Sequence, residues 1–201
     1  MSVLYHWNYF LSLDQDVSNL ARYEEPTPAN YSCFSLELAR LLFAAASEVD
    51  VVAKQLCKKL SPKESAESIA GYRKVLLANF PDFSASQVEI PRFGITLRPW
   101  EAWSGSGNPA WWSAYNNVKH HRHTHFADAN LEHALHAVAG LFVLLLYFYP
   151  EEAERGRLSP DPALFRASGQ FYTDRLMWGD GAMTYKRIGA GQTGMDSTSG
   201  T

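Results

Sequence analysis

The chain has 201 residues, 46% of them hydrophobic, 13% aromatic and 19% charged, a composition that excludes the disordered, collagenous and fibrous classes. Eighteen Lys and Arg against 21 Asp and Glu leave a formal net charge of −3, so the whole-molecule field attracts neither nucleic acid nor an anionic membrane, and any polyanion site must be local. A chain of this length buries roughly 70% of its unfolded surface and needs neither disulfides nor a structural metal to fold. The first ten residues, MSVLYHWNYF, lack the charged start and apolar run of a signal peptide, so a cytoplasmic location without a membrane is expected.

In chain order, Leu13, Val17, Leu20 and Ala21 recur at three and four and predict a first helix over 10–22, with Ser12 or Asp14 capping it. Pro26 and Pro28 end it in a rigid turn. A long apolar stripe through residues 34, 38, 41, 42, 45, 49, 52, 53, 56 and 60 predicts a helix over 31–60. Cys33 and Cys57 both fall in that range, about 36 Å apart at the helical rise, so they cannot bridge within one chain. A third helix is predicted over 65–80, with Ser65 as its cap.

Val88, Ile90, Phe93, Ile95 and Leu97 nearly alternate with polar residues, which predicts a hairpin or extended excursion at about 87–98. Pro91 assigns its first arm to a sheet edge. Helices resume over 110–121 and 126–149, the second favoured at its start by Asp128 and closed by Pro150. Residues 137–149 carry no charge, but Glu132, His133 and His136 enter the same helix upstream, so it reads as a central core helix rather than a membrane span. The polar region 151–188, with Phe171, Tyr172, Leu176, Met177 and Trp178, is expected to pack as an extended strap, and the Gly/Ser/Thr-rich residues 189–201 as a disordered tail. The fold class is therefore mainly α: one helical-bundle domain over 1–188, with long central helices at 31–60 and 126–149.

Chemistry concentrates in one stretch, where residues 119–125 hold four of the seven histidines together with Lys119 and Arg122. If the helix continues through it, Asn116, Lys119, His120 and His123 share one face suited to phosphate or a nucleotide. The alternative is a solvated helix end, where cationic side chains favour the carbonyl terminus. For metal-free RNA cleavage, His120 or His123 would move protons while Arg122 and Lys119 hold charge, and Tyr115 would stack a base beside Trp111 and Trp112, themselves more usual as core anchors.

Metal binding is a separable alternative, because His121, His123 and His125 alternate and His133 and His136 follow at three-residue spacing. No HExxH or Cys-x-x-Cys spacing supports it, and Glu132 is followed three residues later by Leu135 rather than His, so neither a metal nor a cofactor is expected. Glu37 and Glu48 lie about three turns apart at the edge of the 31–60 stripe; either orients a histidine or pairs with Arg122, or Glu37 simply pairs with Arg40. The chain has no Walker A loop, no GxGxxG and no nucleophile elbow, which disfavours P-loop, Rossmann and serine-hydrolase chemistry.

The Asn116-x-x-Lys119-His120-x-Arg122 stretch, between a long amphipathic helix and a long apolar one, resembles the HEPN superfamily over about residues 10–150. The resemblance implies an up-and-down bundle of helices, often a homodimer, and a metal-independent ribonuclease of defence or toxin systems or a non-catalytic binding module. Active members carry Arg, then His after four to six intervening residues; from Arg122 those positions are Ala127, Asp128 and Ala129. The expected function is RNA or nucleotide binding, with catalysis by His120, Arg122 and His123 and substrate contacts from Asn116, Lys119 and Tyr115. The alternative is a protein–protein interaction module in which the basic cluster is a buried, satisfied polar network.

Overall fold

A computed structural model describes residues 3–64, 66–175 and 181–188. Helix α1, Tyr5–Leu20, starts five residues before the expected boundary because Trp7 and Phe10 extend the buried stripe of Leu13 and Val17. Asp14 is therefore in mid-helix and caps nothing, while the Ser12 hydroxyl donates to the Tyr9 carbonyl at 2.7 Å. Helix α2, Leu36–Leu60, starts later than expected, at the Ser35 cap, whose hydroxyl accepts from the Leu38 N–H at 3.1 Å. Cys33 thus lies outside the helix and is exposed, and Cys57 is buried inside it; both are free thiols.

Residues 31–34 do not join α2, because carbonyls there are committed elsewhere. Tyr31 and Cys33 accept from Glu132 and Leu131 at 3.3 and 2.9 Å, and Phe34 bridges Asn130 in antiparallel fashion. Helix α3, Ile69–Asn79, is capped by Ser68, while the expected cap Ser65 lies outside the described residues.

The excursion at 87–98 is a hairpin of β1, Gln87–Ile90, and β2, Ile95–Leu97. β1 is not an edge strand, because β3, Arg166–Ser168, pairs antiparallel on its other side. Pro91 sits just past the last residue of β1 and opens a 3-10 turn closed by Gly94 at φ 63°, so it removes no ladder hydrogen bond.

Helix α4, Ala110–His125, leads through a 3-10 turn at Phe126–Asp128 into α5, Leu131–Phe148, capped by Asn130 rather than Asp128. By length and composition α5 is apolar enough to cross a membrane, with a mean hydropathy of 1.7, but 83% of it is buried in the protein. Helices α1, α2 and α4 all pack on it, and β1 and β2 touch it as well. After α6, Pro150–Glu154, the described part of the strap expected over 151–188 contains strands: β3 is followed by an antiparallel pair, β4, Phe171–Arg175, and β5, Met183–Arg187. Leu176, Met177, Trp178 and the tail at 189–201 lie outside the described residues. The architecture is mainly α with two small antiparallel sheets.

Candidate functional site

The first half of α4 is a core element. Trp111, Trp112, Ala114, Tyr115 and Val118 are buried, and the Trp111 indole N–H donates to the Pro99 carbonyl at 2.8 Å. Both tryptophans are thus core anchors, and Tyr115 joins them: its ring packs on Phe43 and Trp112 at 5.7 and 5.6 Å. Only 9% of Tyr115 is exposed, so its ring face is spent on packing rather than open to a base.

The second half of α4 faces solvent, with Lys119 through Thr124 all exposed. Helical geometry breaks at His121 (φ −138°, ψ 41°). The chain beyond the break is turned by a network on Asp128, whose carboxylate accepts from the Asn117 amide at 3.0 Å and meets His125 Nδ1 at 3.2 Å. His133 Nδ1 donates to the Asp128 carbonyl at 2.8 Å, and His136 Nδ1 donates to the Glu132 carbonyl at 2.9 Å. Burial lowers the His136 pKa from its ordinary value. Three of the histidines are thereby tied into local structure, and no group of three His, Cys, Asp or Glu among the described residues is placed to hold a metal.

What remains is an open concavity of about 620 Å³ walled by Lys119, His120, Arg122, His123 and Phe126, with no carboxylate in its lining among the described residues. The Arg122 guanidinium lies over the Phe126 ring at 5.0 Å and the Lys119 ammonium lies 5.3 Å from the Tyr115 ring centroid. Among the described residues neither cation has an ion-pair partner. The carbonyl end of a helix carries roughly half a negative charge, which two full positive charges outweigh, so the concavity is electropositive despite sitting at a C-terminus. It is also exposed, contrary to a buried polar network.

The structure brings together Lys119, His120, Arg122 and His123, with the buried Tyr115 ring beneath Lys119 at 5.3 Å, but not Asn116, Glu37 or Glu48. The Asn116 amide is turned back on the Trp112 carbonyl at 2.9 Å. Glu37 pairs with Arg40 on the surface, the simpler of its two expected roles. Glu48 accepts from His6 Nδ1 at 2.5 Å, and His6 Nε2 lies 3.3 Å from the Gln55 amide nitrogen. No carboxylate from α2 therefore orients a histidine of the 119–125 cluster. The His6–Glu48 pair has no sequence signal, since its members lie 42 residues apart. A larger groove of about 730 Å³ between α1 and α2, bordered by Tyr9, Leu20, Phe43 and the Glu37–Arg40 pair, also escaped the sequence. No family model, curated protein or solved structure matches this chain.

Proposed function

We propose that the chain is a HEPN-like helical-bundle domain that binds RNA or a nucleotide through its phosphates at the end of α4. The observation that carries this reading is the concavity of Lys119, His120, Arg122 and His123, whose wall holds no carboxylate among the described residues. Guanidinium forks grip phosphate oxygens in pairs, lysine adds a point charge, and imidazoles donate further hydrogen bonds. Binding is favoured over cleavage, because an acid–base pair needs imidazoles held in register, and neither His120 nor His123 has a hydrogen-bond partner among the described residues. The second reading is metal-independent RNA cleavage, supported by two imidazoles and a guanidinium sharing one concavity.

Titrating a fluorescent mixed-sequence RNA between about 50 and 200 mM salt tests both readings, with the same samples run on a denaturing gel in excess EDTA. Arg122→Ala is expected to weaken binding about tenfold and to reduce the salt slope by roughly one, with the melting temperature nearly unchanged. Wild-type protein that binds no RNA, or an Arg122→Ala variant that binds as tightly as wild type, would overturn the proposal. Cleavage by the wild type alone would establish the nuclease reading instead. A large loss of stability in Arg122→Ala would make the arginine a structural partner.

A further inference from the structure

Phe34 is 49% exposed although its backbone is tied to the segment before α5. It bridges Asn130, and on either side of it the Cys33 carbonyl accepts from Leu131 while the Ser35 hydroxyl caps α2. A fixed backbone thus holds an aromatic ring out in solvent. That ring meets Phe126 edge-on, with centroids 5.5 Å apart and planes at 81°. Phe126 is also a wall of the cationic concavity and lies beneath the Arg122 guanidinium at 5.0 Å. Arg122, Phe126 and Phe34 therefore form a continuous row: a cation, a supporting ring, and an exposed ring braced by it.

A phosphate by itself has no use for the exposed ring, and an apolar protein surface has none for unpaired cations. An unpaired nucleotide uses both, since its phosphate is anionic and its base has a π face that stacks on any aromatic side chain. In a duplex the base faces are already stacked on each other, so a platform of this kind selects single strands. We propose that Phe34, braced by Phe126, is a base-stacking platform beside the Arg122 phosphate contact, so that the ligand of this site is an unpaired stretch of RNA. This inference rests on the phosphate-binding reading above and adds to it the residue that distinguishes a base-bearing ligand from a bare polyanion.

The test uses three probes of equal length on the full chain: a single-stranded mixed-sequence RNA, an abasic ribose-phosphate oligomer, and the same RNA annealed to its complement. Phe34→Ala should weaken the single-stranded RNA about tenfold while leaving the abasic oligomer and the duplex unchanged, and Phe34→Trp should bind as the wild type does. Arg122→Ala should weaken all three. An unchanged affinity of Phe34→Ala for the single strand, or an equal loss for the abasic oligomer, would overturn the platform while leaving the phosphate site standing. Indifference of all three probes to Arg122→Ala, or no binding by the wild type, would instead remove the phosphate site and the platform with it.

Discussion

The two thiols are separated in reactivity by where α2 begins. Cys57 is 1% exposed in the middle of that helix, and burial pushes its pKa up to about 11, because the thiolate would lie in apolar surroundings. Cys33 lies ahead of the Ser35 cap and is open to solvent. At pH 8 a thiol of that pKa is ionised in about one molecule in a thousand, and steric access lowers its rate further. A colorimetric disulfide reagent should therefore titrate one thiol in the native protein and two in denaturant. Cys33→Ser should remove the rapid native reaction. Fast native labelling of that variant would show that Cys57 is reachable. The Arg122 and Phe34 substitutions belong to this scale too, since each removes a group held at the surface rather than in the core.

At the scale of elements, α5 is buried along nearly its whole length, and two indoles approach it closely at Gly140. A methyl group there would come within 3.1 Å of the Trp111 ring and 3.5 Å of the Trp100 ring. Neither indole is free to yield, since Trp100 donates to the Gly140 carbonyl at 3.2 Å and Trp111 to that of Pro99 at 2.8 Å. Alanine gains about 1 kcal/mol of helix propensity over glycine, while overpacking costs about 1–3 kcal/mol. Pinned rings put the cost toward the upper end, so Gly140→Ala should destabilise by about 2 kcal/mol in urea unfolding, and a stabilised variant would show that the indoles shift. The body of α5 was legible because an uncharged run of that length has few folds open to it, and α2 because its stripe is long and uninterrupted. The start of α2 and the rank of β1 were not, since they depend on hydrogen bonds from residues 130–132 and on β3, which lies more than 70 residues beyond β1. The break at His121 carries no glycine or proline to announce it. The clustering of Lys119, His120, Arg122 and His123 was legible because they lie within five residues, whereas the burial of Tyr115 and the exposure of Phe34 are set by the packing of distant elements.

At the scale of the whole molecule, a buried carboxylate joins α1 to the segment that precedes β3. Asp14, 2% exposed on α1, accepts from the backbone N–H groups of Ala163, Leu164 and Phe165 at 2.6, 3.0 and 3.4 Å. Trp7 adds an indole N–H to the Pro160 carbonyl at 3.2 Å, and Phe165 packs edge-on to Phe10 at 6.1 Å. The segment so fixed runs directly into β3, which pairs with β1, and β1 lies on α5. Contacts thus run without a break from α1 through the segment before β3 to β1 and α5, and these elements are expected to unfold as one unit. Removing the carboxylate strands the donors of buried Leu164 and Phe165 away from water, whereas exposed Ala163 can turn to solvent, and bonds to a charged acceptor contribute about 1.5–3 kcal/mol each, partly offset as the segment relaxes. Asp14→Ala should cost about 3 kcal/mol and lower the melting temperature by roughly 6–12 °C, with Asp14→Asn intermediate because it keeps one oxygen acceptor. The loss should move a single urea transition as a whole, while RNA affinity at α4 measured well below melting stays unchanged. A variant that unfolds in two steps, its C-terminal strands leaving first, would show that Asp14 is only a local strap.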